Sequence, residues 1–199
     1  MAILMLLELP GTTTEEYDEL NRVMGIGGDD SAPEGLIEHV VGTDGSNLVI
    51  ADVWESADAL GRFVEGRLRP ALETAGIAAD SEPRVLPVHN RLKGTGSEPA
   101  VIMLIEIDDL GPDAYDQMVS SMDAHVGDGS RHPSVAHTAA RKEDGGMIVV
   151  DLWESPEAFG RFAEEQIAPA GASVGLGPIE PRMIPVHNRI RGGTRQPAA

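Results

Sequence analysis

Two aspartates, Asp52 and Asp151, stand in otherwise apolar runs, VIADVW and IVVDLW, and each lies two residues before a tryptophan. A carboxylate in such a setting is costly to bury unless it has a hydrogen-bond partner. Each could act as a general base or could orient a histidine. Each could equally be a structural anchor that accepts a hydrogen bond from a neighbouring strand.

Two histidines, His39 and His137, lie on the strand predicted to form a hairpin with each aspartate-bearing strand. A register that sets each histidine beside its aspartate is possible. The turn of the second hairpin is one residue longer, and a one-residue slip would move a side chain to the other face, so the register stays open. A His–Asp pair would supply a base that works near neutral pH. We therefore take His39, Asp52, His137 and Asp151 as the catalytic candidates.

A second group of polar residues could contact a ligand. His89–Asn90 and His187–Asn188 lie on the last predicted strand of each half, where neighbours alternate faces, so one of each pair should face the helices. A side chain there could polarise a carbonyl or enolate oxygen, or it could pair with backbone. Tyr17 and Tyr115 begin the apolar stripe of a helix. They are core residues or place a hydroxyl at a pocket rim.

These candidates come in pairs because the chain is a tandem duplication. PVHNR begins at Pro87 and again at Pro185, and MLLEL at Met5 returns as MLIEI at Met103, both 98 residues later. ADVWES at Ala51 returns as VDLWES at Val150, 99 residues later, so the second copy gains one residue and loses it again before PVHNR. Shared order with compensating slips is the signature of a duplicated unit.

Each copy predicts the element order βαββαβ, the ferredoxin-like unit. Thr12 and Glu15 are spaced as a capping box for the first helix, and a second helix should follow Ser56 and Ser155. The first predicted strand is Ile3–Leu9 in copy one and Val101–Ile107 in copy two. A hairpin follows in each copy: Leu36–Val41 with Leu48–Trp54, turning at Asp44-Gly45, in copy one, and a hairpin turning at Asp144-Gly145 in copy two. The last strand of each copy carries PVHNR.

The strands are apolar on both faces, and two helices can cover only one face of a sheet. The predicted fold class is therefore α+β, with two tandem ferredoxin-like units packed sheet to sheet as an intramolecular α/β barrel. The expected boundaries are 1–93 for the first repeat, 94–98 for a linker, 99–191 for the second repeat and 192–199 for a flexible tail. Such a chain would be a monomeric pseudo-dimer or a homodimer.

Composition excludes several classes of partner and chemistry. The 199 residues carry a formal net charge of −18, which argues against nucleic acid and anionic membrane surfaces. There is no cysteine, so disulfides, thiolate metal sites and cysteine nucleophiles are excluded. The apolar start, MAILMLLELPG, has no basic segment and is interrupted by Glu8, so we read it as a strand and expect a cytoplasmic protein.

The second copy carries two histidines without counterparts in the first, His125 and His132. Together with His137 they place three imidazoles in a short stretch, but the spacing matches no metal motif and no acidic ligand is obviously placed. We predict no metal and no cofactor. The extra histidines indicate that the two copies have diverged, and they favour the second copy as the active one.

The βαββαβ unit with a W-E-S motif closing its third strand and a helix directly after it resembles the antibiotic-biosynthesis-monooxygenase type of dimeric α/β barrel, once per half. The resemblance implies a pocket in which Trp54 and Trp153 stack on an aromatic substrate, although a core role at the strand–helix corner is equally expected. The resemblance also argues against heme, because the helix that would carry an axial histidine has none over 56–75 or 155–175.

Two functions remain open at this point. One is a cofactor-independent enzyme of secondary metabolism, a monooxygenase, cyclase or isomerase, that deprotonates a polyketide-like aromatic or enolisable molecule in an apolar pocket. The other is a non-catalytic protein that binds such a small apolar or aromatic molecule. In the enzyme, His137 would take the proton, Asp151 would orient the imidazole and Asn188 would donate to the developing oxyanion. Fold alone selects neither function.

Overall fold

The computed structural model of the chain describes residues 1–75, 81–122 and 132–193. The first half contains β1 (Ile3–Pro10), α1 (Thr14–Met24), β2 (Leu36–Asp44), β3 (Asn47–Trp54), α2 (Ala57–Phe63), α3 (Arg69–Ala75) and β4 (Arg84–Lys93). The second half contains β5 (Val101–Ile107), α4 (Pro112–Ser120), β6 (Ala136–Arg141), β7 (Met147–Trp153), α5 (Pro156–Phe162), α6 (Ala168–Ser173) and β8 (Arg182–Arg191). Both halves therefore have the predicted βαββαβ order.

The hydrogen-bonded order of the strands is β1-β3-β2-β8-β5-β7-β6-β4, closed as a barrel. This topology, with helices in both halves, confirms the predicted α+β fold class of tandem ferredoxin-like units. No helix among the described residues is both long enough and apolar enough to cross a bilayer.

The chain divides into two compact units that exchange their closing strands. The first unit is Met1–Val85 with His187–Ala199, and the second unit is Leu86–Val186. Most of β4 thus belongs to the second unit, where it pairs with β6, and the end of β8 belongs to the first unit, where Gly192 donates to the Ile37 carbonyl. The repeat boundaries drawn from the sequence remain a prediction about the duplication, and six residues of the predicted tail, 194–199, lie outside the described residues.

The structure shows the register of the β2–β3 and β6–β7 hairpins, which the sequence left open. In the first unit His39 lies directly opposite Asp52, and in the second unit His137 lies directly opposite Asp151. A two-residue turn, Gly45-Ser46, joins β2 to β3 with Gly45 at a φ of 63°, a left-handed conformation that glycine adopts at no steric cost. The longer turn between β6 and β7 absorbs the extra residue of the second copy. Each His–Asp pair is therefore preserved on one face.

The helices begin where short polar side chains can cap them. Ser56 and Ser155 cap α2 and α5 as predicted, each accepting from the backbone N–H three residues on. The capping box predicted for Thr12 and Glu15 is wrong by one residue, because the cap is formed by Thr13 with Glu16. A π-helical segment follows α2 at Val64–Leu68, and another follows α5 at Ala163–Ile167. Such segments inside α-helices are frequent at functional sites.

The helix-facing side of the second unit contains its main core. Alternate residues of β5 and β7 point to this side, as the period of two in a strand requires. Buried members of this core are Met103, Ile105, Tyr115, Met118, Val149, Trp153, Phe159 and Phe162. Asp151 lies between Val149 and Trp153 on β7 and therefore shares their face. The strand period thus places the carboxylate inside the apolar layer beneath the helices.

Candidate functional site

A buried His–Asp pair forms the centre of the second unit. His137 Nδ1 lies 2.7 Å from Asp151 Oδ1, and the two residues are 4% and 3% exposed. A carboxylate only accepts hydrogen bonds, so the ring donates through Nδ1–H to Asp151. In the neutral imidazole this leaves Nε2 as an acceptor. The aspartate therefore fixes both the tautomer and the orientation of the histidine.

Tyr115 of α4 completes a chain of hydrogen bonds with this pair. Its hydroxyl lies 2.6 Å from His137 Nε2, and it accepts a hydrogen bond of 3.1 Å from the Asn90 amide. Because Nε2 is an acceptor and Asn90 donates to the phenolic oxygen, the Tyr115 proton points to the histidine. We call the series Asp151–His137–Tyr115 the second-unit relay.

The first unit repeats the arrangement with nearly the same distances. His39 Nδ1 lies 2.7 Å from Asp52 Oδ1, and the Tyr17 hydroxyl lies 2.6 Å from His39 Nε2. Asn188 donates to the Tyr17 hydroxyl over 3.1 Å. We call the series Asp52–His39–Tyr17 the first-unit relay. Sequence analysis had offered each tyrosine as a core or rim residue and had missed its place as the third member of the relay.

Both relay tyrosines are held in the protonated form. Burial raises the pKa of Tyr17 to about 12, against smaller lowering effects from its hydrogen bonds to Asn188 and Asn21. Burial also raises the pKa of Tyr115 well above its ordinary value, with the Asp151 and Asp116 carboxylates adding to the increase. Neither residue is a standing phenolate near neutral pH. Each can donate its proton to the histidine only as its oxygen receives another.

The exchange of closing strands shows that one predicted grouping of site residues is wrong. Asn188 was expected to work with His137, but it contacts Tyr17 in the first unit. The corresponding amide of the second unit comes from Asn90, on the closing strand of the first sequence copy. The sequence placed each PVHNR strand with its own copy, whereas the structure closes each site with the strand of the other copy.

The predicted alternation of His and Asn on the closing strands is also wrong. A bulge interrupts β4 between Val88 and Asn90. His89 and Asn90 consequently both contact α4, His89 through Asp116 at 2.7 Å. In the first unit His187 likewise contacts Asp18 of α1, at 2.9 Å, beside the Asn188 bond to Tyr17. A bulge adds a residue to one strand and re-aims the side chains that follow.

The histidines of these strands flank the relay tyrosines. His89 lies edge-on to Tyr115 with ring centroids 5.6 Å apart, and His187 lies edge-on to Tyr17 at 5.8 Å. In the second unit Arg141 also donates to His89 Nδ1. His89 therefore carries its proton on Nε2 and donates it to Asp116. These hydrogen bonds hold the His89 ring against Tyr115.

The two tryptophans occupy equivalent places but make different contacts. Both are fully buried, and Trp54 donates from Nε1 to Asp52 Oδ2 over 3.2 Å. Among the described residues, Trp153 Nε1 has no hydrogen-bond partner. Trp153 packs on Phe159 and Phe162 and does not line the cavity described next. A role for either tryptophan in stacking on a substrate stays a prediction.

A cavity of about 40 Å³ lies against the second-unit relay, between the sheet and the helices. Eleven of its fifteen lining residues are apolar, among them Met103, Met118, Val149, Phe162 and Ile167. The other four are Tyr115, His132, His137 and Asp151. The relay and His132 thus form the polar wall of an otherwise apolar space.

His132 is the feature of this cavity that the first unit lacks. Its ring is fully buried, with Nδ1 2.7 Å from Ser134 Oγ and its centroid 5.2 Å from that of His137. Burial lowers the pKa of His132 to about 4, with Asp151 opposing and His137 reinforcing the decrease. The ring is therefore neutral near pH 7. The other added histidine, His125, lies outside the described residues.

His132, His137 and Asp151 each offer one metal-ligand atom, and these atoms lie within 4.8 Å of one another. The sequence had suggested no acidic ligand near the histidines. Asp151 supplies one because the hairpin sets β7 beside β6. Pairing the two strands of the hairpin in the correct register would have revealed Asp151 beside His137.

Comparison with known proteins identifies the fold. No family model matches the chain, and no curated protein matches it. A Fusobacterium nucleatum protein proposed to be a monooxygenase superposes with a TM-score of 0.71 over 96% of this chain and 95% of its own, at 8% identity. A Listeria monocytogenes ferredoxin-fold protein related to antibiotic biosynthesis monooxygenases gives 0.52 over 94% and 96%, at 9% identity. An anthrone oxidase-like protein gives 0.51 over 100% and 96%, at 17% identity.

These matches span the full chain, so the resemblance to the antibiotic-biosynthesis-monooxygenase-like fold is confirmed. Identities this low establish a shared fold and leave the chemistry to the site.

Proposed function

We propose that the chain is a cofactor-independent enzyme of secondary metabolism that removes a proton from a polyketide-like aromatic or otherwise enolisable small molecule. The observation that carries this proposal is the second-unit relay, a buried Asp–His–Tyr series in the wall of an apolar cavity. An enzyme of this kind needs a base beside an apolar surface, and an anion formed there needs hydrogen-bond donors.

The geometry suggests how the proton would move. As the substrate loses a proton to the Tyr115 oxygen, the hydroxyl proton of Tyr115 passes to His137 Nε2. Asp151 then stabilises the imidazolium through the hydrogen bond to Nδ1. Asn90 donates to the tyrosine oxygen, where negative charge develops during the transfer. His137 is therefore the base, as the sequence suggested, but it acts through Tyr115.

The product of this step is a carbanion, enolate or phenolate held in an apolar space. Such an electron-rich anion can react with O₂, close a ring or take the proton back at another carbon. These three outcomes correspond to monooxygenase, cyclase and isomerase activity, and the site supports their common first step. The names of the fold relatives, which include an anthrone oxidase-like protein, make oxygenation of a phenolic or anthrone-type compound the first outcome to test.

The size of the cavity restricts how a substrate binds. About 40 Å³ holds roughly three water molecules, each of which needs ~10–15 Å³ by this measure, so lining side chains must move for a ring to enter. A second cleft of about 340 Å³, lined by Arg161, Glu154 and Glu165 among others, shares the Phe162 side chain with the cavity. Rotation of Phe162 would join the two spaces. We therefore expect substrates to enter from this cleft.

The test separates deprotonation from later steps. Metal-stripped protein, with no flavin or metal added, is incubated in D₂O with anthrones, activated phenols and cyclic 1,3-diketones. Deuterium incorporation at the acidic carbon is followed by NMR while an electrode follows O₂. We expect exchange with at least one class that is lost in His137→Gln and kept in His39→Gln. Exchange that neither variant alters, or no exchange with any compound that binds, would overturn the enzyme proposal.

The second candidate is a non-catalytic binding protein. It is favoured by the presence of the same three-residue series in both units, since a repeated buried network also serves as a structural anchor. Such a protein would bind the same compounds with heat release and cause neither exchange nor O₂ uptake. Calorimetry on the panel used for exchange distinguishes the two functions.

A further inference from the structure

The second unit brings together two imidazoles and a carboxylate that could coordinate a metal ion. His132, His137 and Asp151 have ligand atoms within 4.8 Å of one another, and their exposed fractions are 0%, 4% and 3%. Neutral imidazole with carboxylate is a ligand set for Zn²⁺, Co²⁺ and Fe²⁺. We propose that these three residues form a binding site for one divalent first-row transition metal ion per chain.

Each histidine has a neighbour that can accept its proton when the other ring nitrogen coordinates a metal ion. A metal-bound histidine usually donates a hydrogen bond from its other ring N–H to a nearby acceptor, which fixes the tautomer. The Ser134 backbone N–H donates to His132 Nδ1 over 3.3 Å, so the neutral ring carries its proton on Nε2 in the metal-free protein. On coordination through Nε2 that proton would move to Nδ1, which lies 2.7 Å from Ser134 Oγ and could then donate to that hydroxyl. His137 would coordinate through Nδ1. Its proton would move to Nε2, 2.6 Å from the Tyr115 oxygen, which can accept it.

The distances call for a modest adjustment. Ligand bonds of ~2.1 Å in a tetrahedral site place ligand atoms about 3.4 Å apart. The His137–Asp151 contact of 2.7 Å must lengthen, and the other two separations, both within 4.8 Å, must settle near the same value. Rotation of the Asp151 carboxylate and the His132 ring supplies changes of this size. The remaining coordination position faces the cavity, which has room for a water molecule.

The first unit is an internal control for this proposal. The residue 98 positions before His132 is Glu34, which is exposed, and among the described residues the His39–Asp52 pair is not joined by a third metal-ligand atom. One metal ion per chain is therefore expected. The ion would also replace the proton between His137 and Asp151, so metal binding would switch off the second-unit relay and leave the first-unit relay unchanged.

The experiment titrates Zn²⁺ into metal-stripped protein by isothermal calorimetry and repeats the titration with Co²⁺ by visible absorption. We expect one binding site per chain. The visible absorption bands of bound Co²⁺ should be those of an ion with a low coordination number. His132→Phe, which places a ring of similar size among Trp153 and Phe162, should weaken Zn²⁺ binding by more than about a hundredfold, beyond the ~10–100-fold typical of losing a residue that hydrogen-bonds to a ligand. Ser134→Ala should weaken it by about tenfold.

His39→Phe in the first unit is the matched control and should leave the site intact. Unchanged melting of each metal-free variant separates loss of the site from loss of the fold. Two equivalent sites, no site, or weak binding that both His132→Phe and Ser134→Ala leave unchanged would overturn the proposal. Because the titration needs no substrate, its result is independent of whether the proposed enzyme activity is found.

Discussion

The two units contain the same relay in different surroundings. The Tyr–His and His–Asp distances are 2.6 Å and 2.7 Å in both units, and an Asn amide from the exchanged strand lies 3.1 Å from each tyrosine oxygen. Around this constant part the sequence has diverged. The second unit adds His132 beside the relay and Arg141 on His89, whereas in the first unit Trp54 donates to the relay aspartate.

Features that both units share can be explained by the fold, whereas features of one unit alone point to a function. A network that recurs with the same geometry is consistent with an anchor that ties the first helix to the hairpin of each unit. One of the features that differ lies at the cavity of the second unit, where a fully buried neutral imidazole replaces an exposed glutamate. The second unit is therefore the place to look for activity, and paired substitutions in the two units can test that view.

The largest expected effect is on turnover. His137→Gln keeps a donor for Asp151 but removes the base, and general-base catalysis typically contributes ~10²–10⁴-fold, so kcat should fall by about that factor. His39→Gln, its match in the first unit, should leave kcat within about twofold of the parent protein, because catalysis needs only the second-unit relay. Steady-state rates on a substrate found in the exchange assay provide the measurement. Equal losses in both variants would show that the units work together or that the effect is structural.

A smaller effect is expected when the relay loses its outer member. Tyr115→Phe removes the hydroxyl that passes the proton but leaves the His137–Asp151 pair as a base, so kcat should fall by about tenfold to a hundredfold, less than the ~10²–10⁴-fold typical of losing the base itself. Tyr17→Phe is the matched change. A rate unaffected by Tyr115→Phe would mean that the substrate reaches His137 directly, since the histidine would then act without the tyrosine.

Much of this arrangement follows from sequence pattern. The duplication, the element order and the His–Asp candidates come from repeated motifs and from apolar periodicity, which report local chemistry directly. Asp52 and Asp151 were identified because a carboxylate in an apolar strand demands a partner. The face of each histidine could not be fixed, since it depended on how a longer turn was accommodated, and β-turn length alone does not determine register.

The rest depends on long-range pairing. Asn90 and Asn188 lie in the same PVHNR motif, and nothing in the sequence of either strand indicates which copy of the repeat that strand pairs with. The strand exchange is decided by the pairing of β4 with β6, residues that are about fifty positions apart. The bulge before Asn90 likewise arises from that pairing. A glycine ends each closing strand, Gly94 and Gly192, where a Cβ would overlap the carbonyl of Ser134 or Leu36. These glycines mark the close approach only once the partner is known.

The tryptophan pair tests the structural side of the comparison. Trp54→Phe and Trp153→Phe remove the same volume, but the first also removes a buried hydrogen bond to Asp52. Trp54→Phe should therefore lower the free energy of unfolding by about 1 kcal/mol more than Trp153→Phe. Urea unfolding followed by circular dichroism measures the free energy of unfolding of both variants. Trp54 and Trp153 are the only tryptophans in the chain, so each variant retains one. Identical losses would mean that the indole N–H contributes nothing to the first unit.

The smallest predicted difference concerns the two tyrosines, which are the only ones in the chain. Burial raises the pKa of Tyr17 to about 12 and the pKa of Tyr115 also lies well above its ordinary value. Phenolate absorbance should therefore be nearly absent at about pH 10, where an ordinary tyrosine is half ionised. Because the folded-state pKa exceeds the unfolded one, the stabilising contribution of Tyr17 is complete below about pH 10 and is lost as the pH rises towards 12.

Single variants assign this alkaline titration to its unit. In Tyr115→Phe the remaining tyrosine, Tyr17, should ionise near pH 12, and in Tyr17→Phe the remaining Tyr115 should ionise at a higher pH or only as the protein unfolds. The order follows from burial, since Tyr115 is 1% exposed and Tyr17 is 7% exposed. Circular dichroism recorded at each pH separates ionisation in the folded protein from ionisation on unfolding. A midpoint near pH 10 in a folded variant would contradict the buried relay in the unit that retains its tyrosine, because a hydroxyl in contact with water ionises at its ordinary pKa.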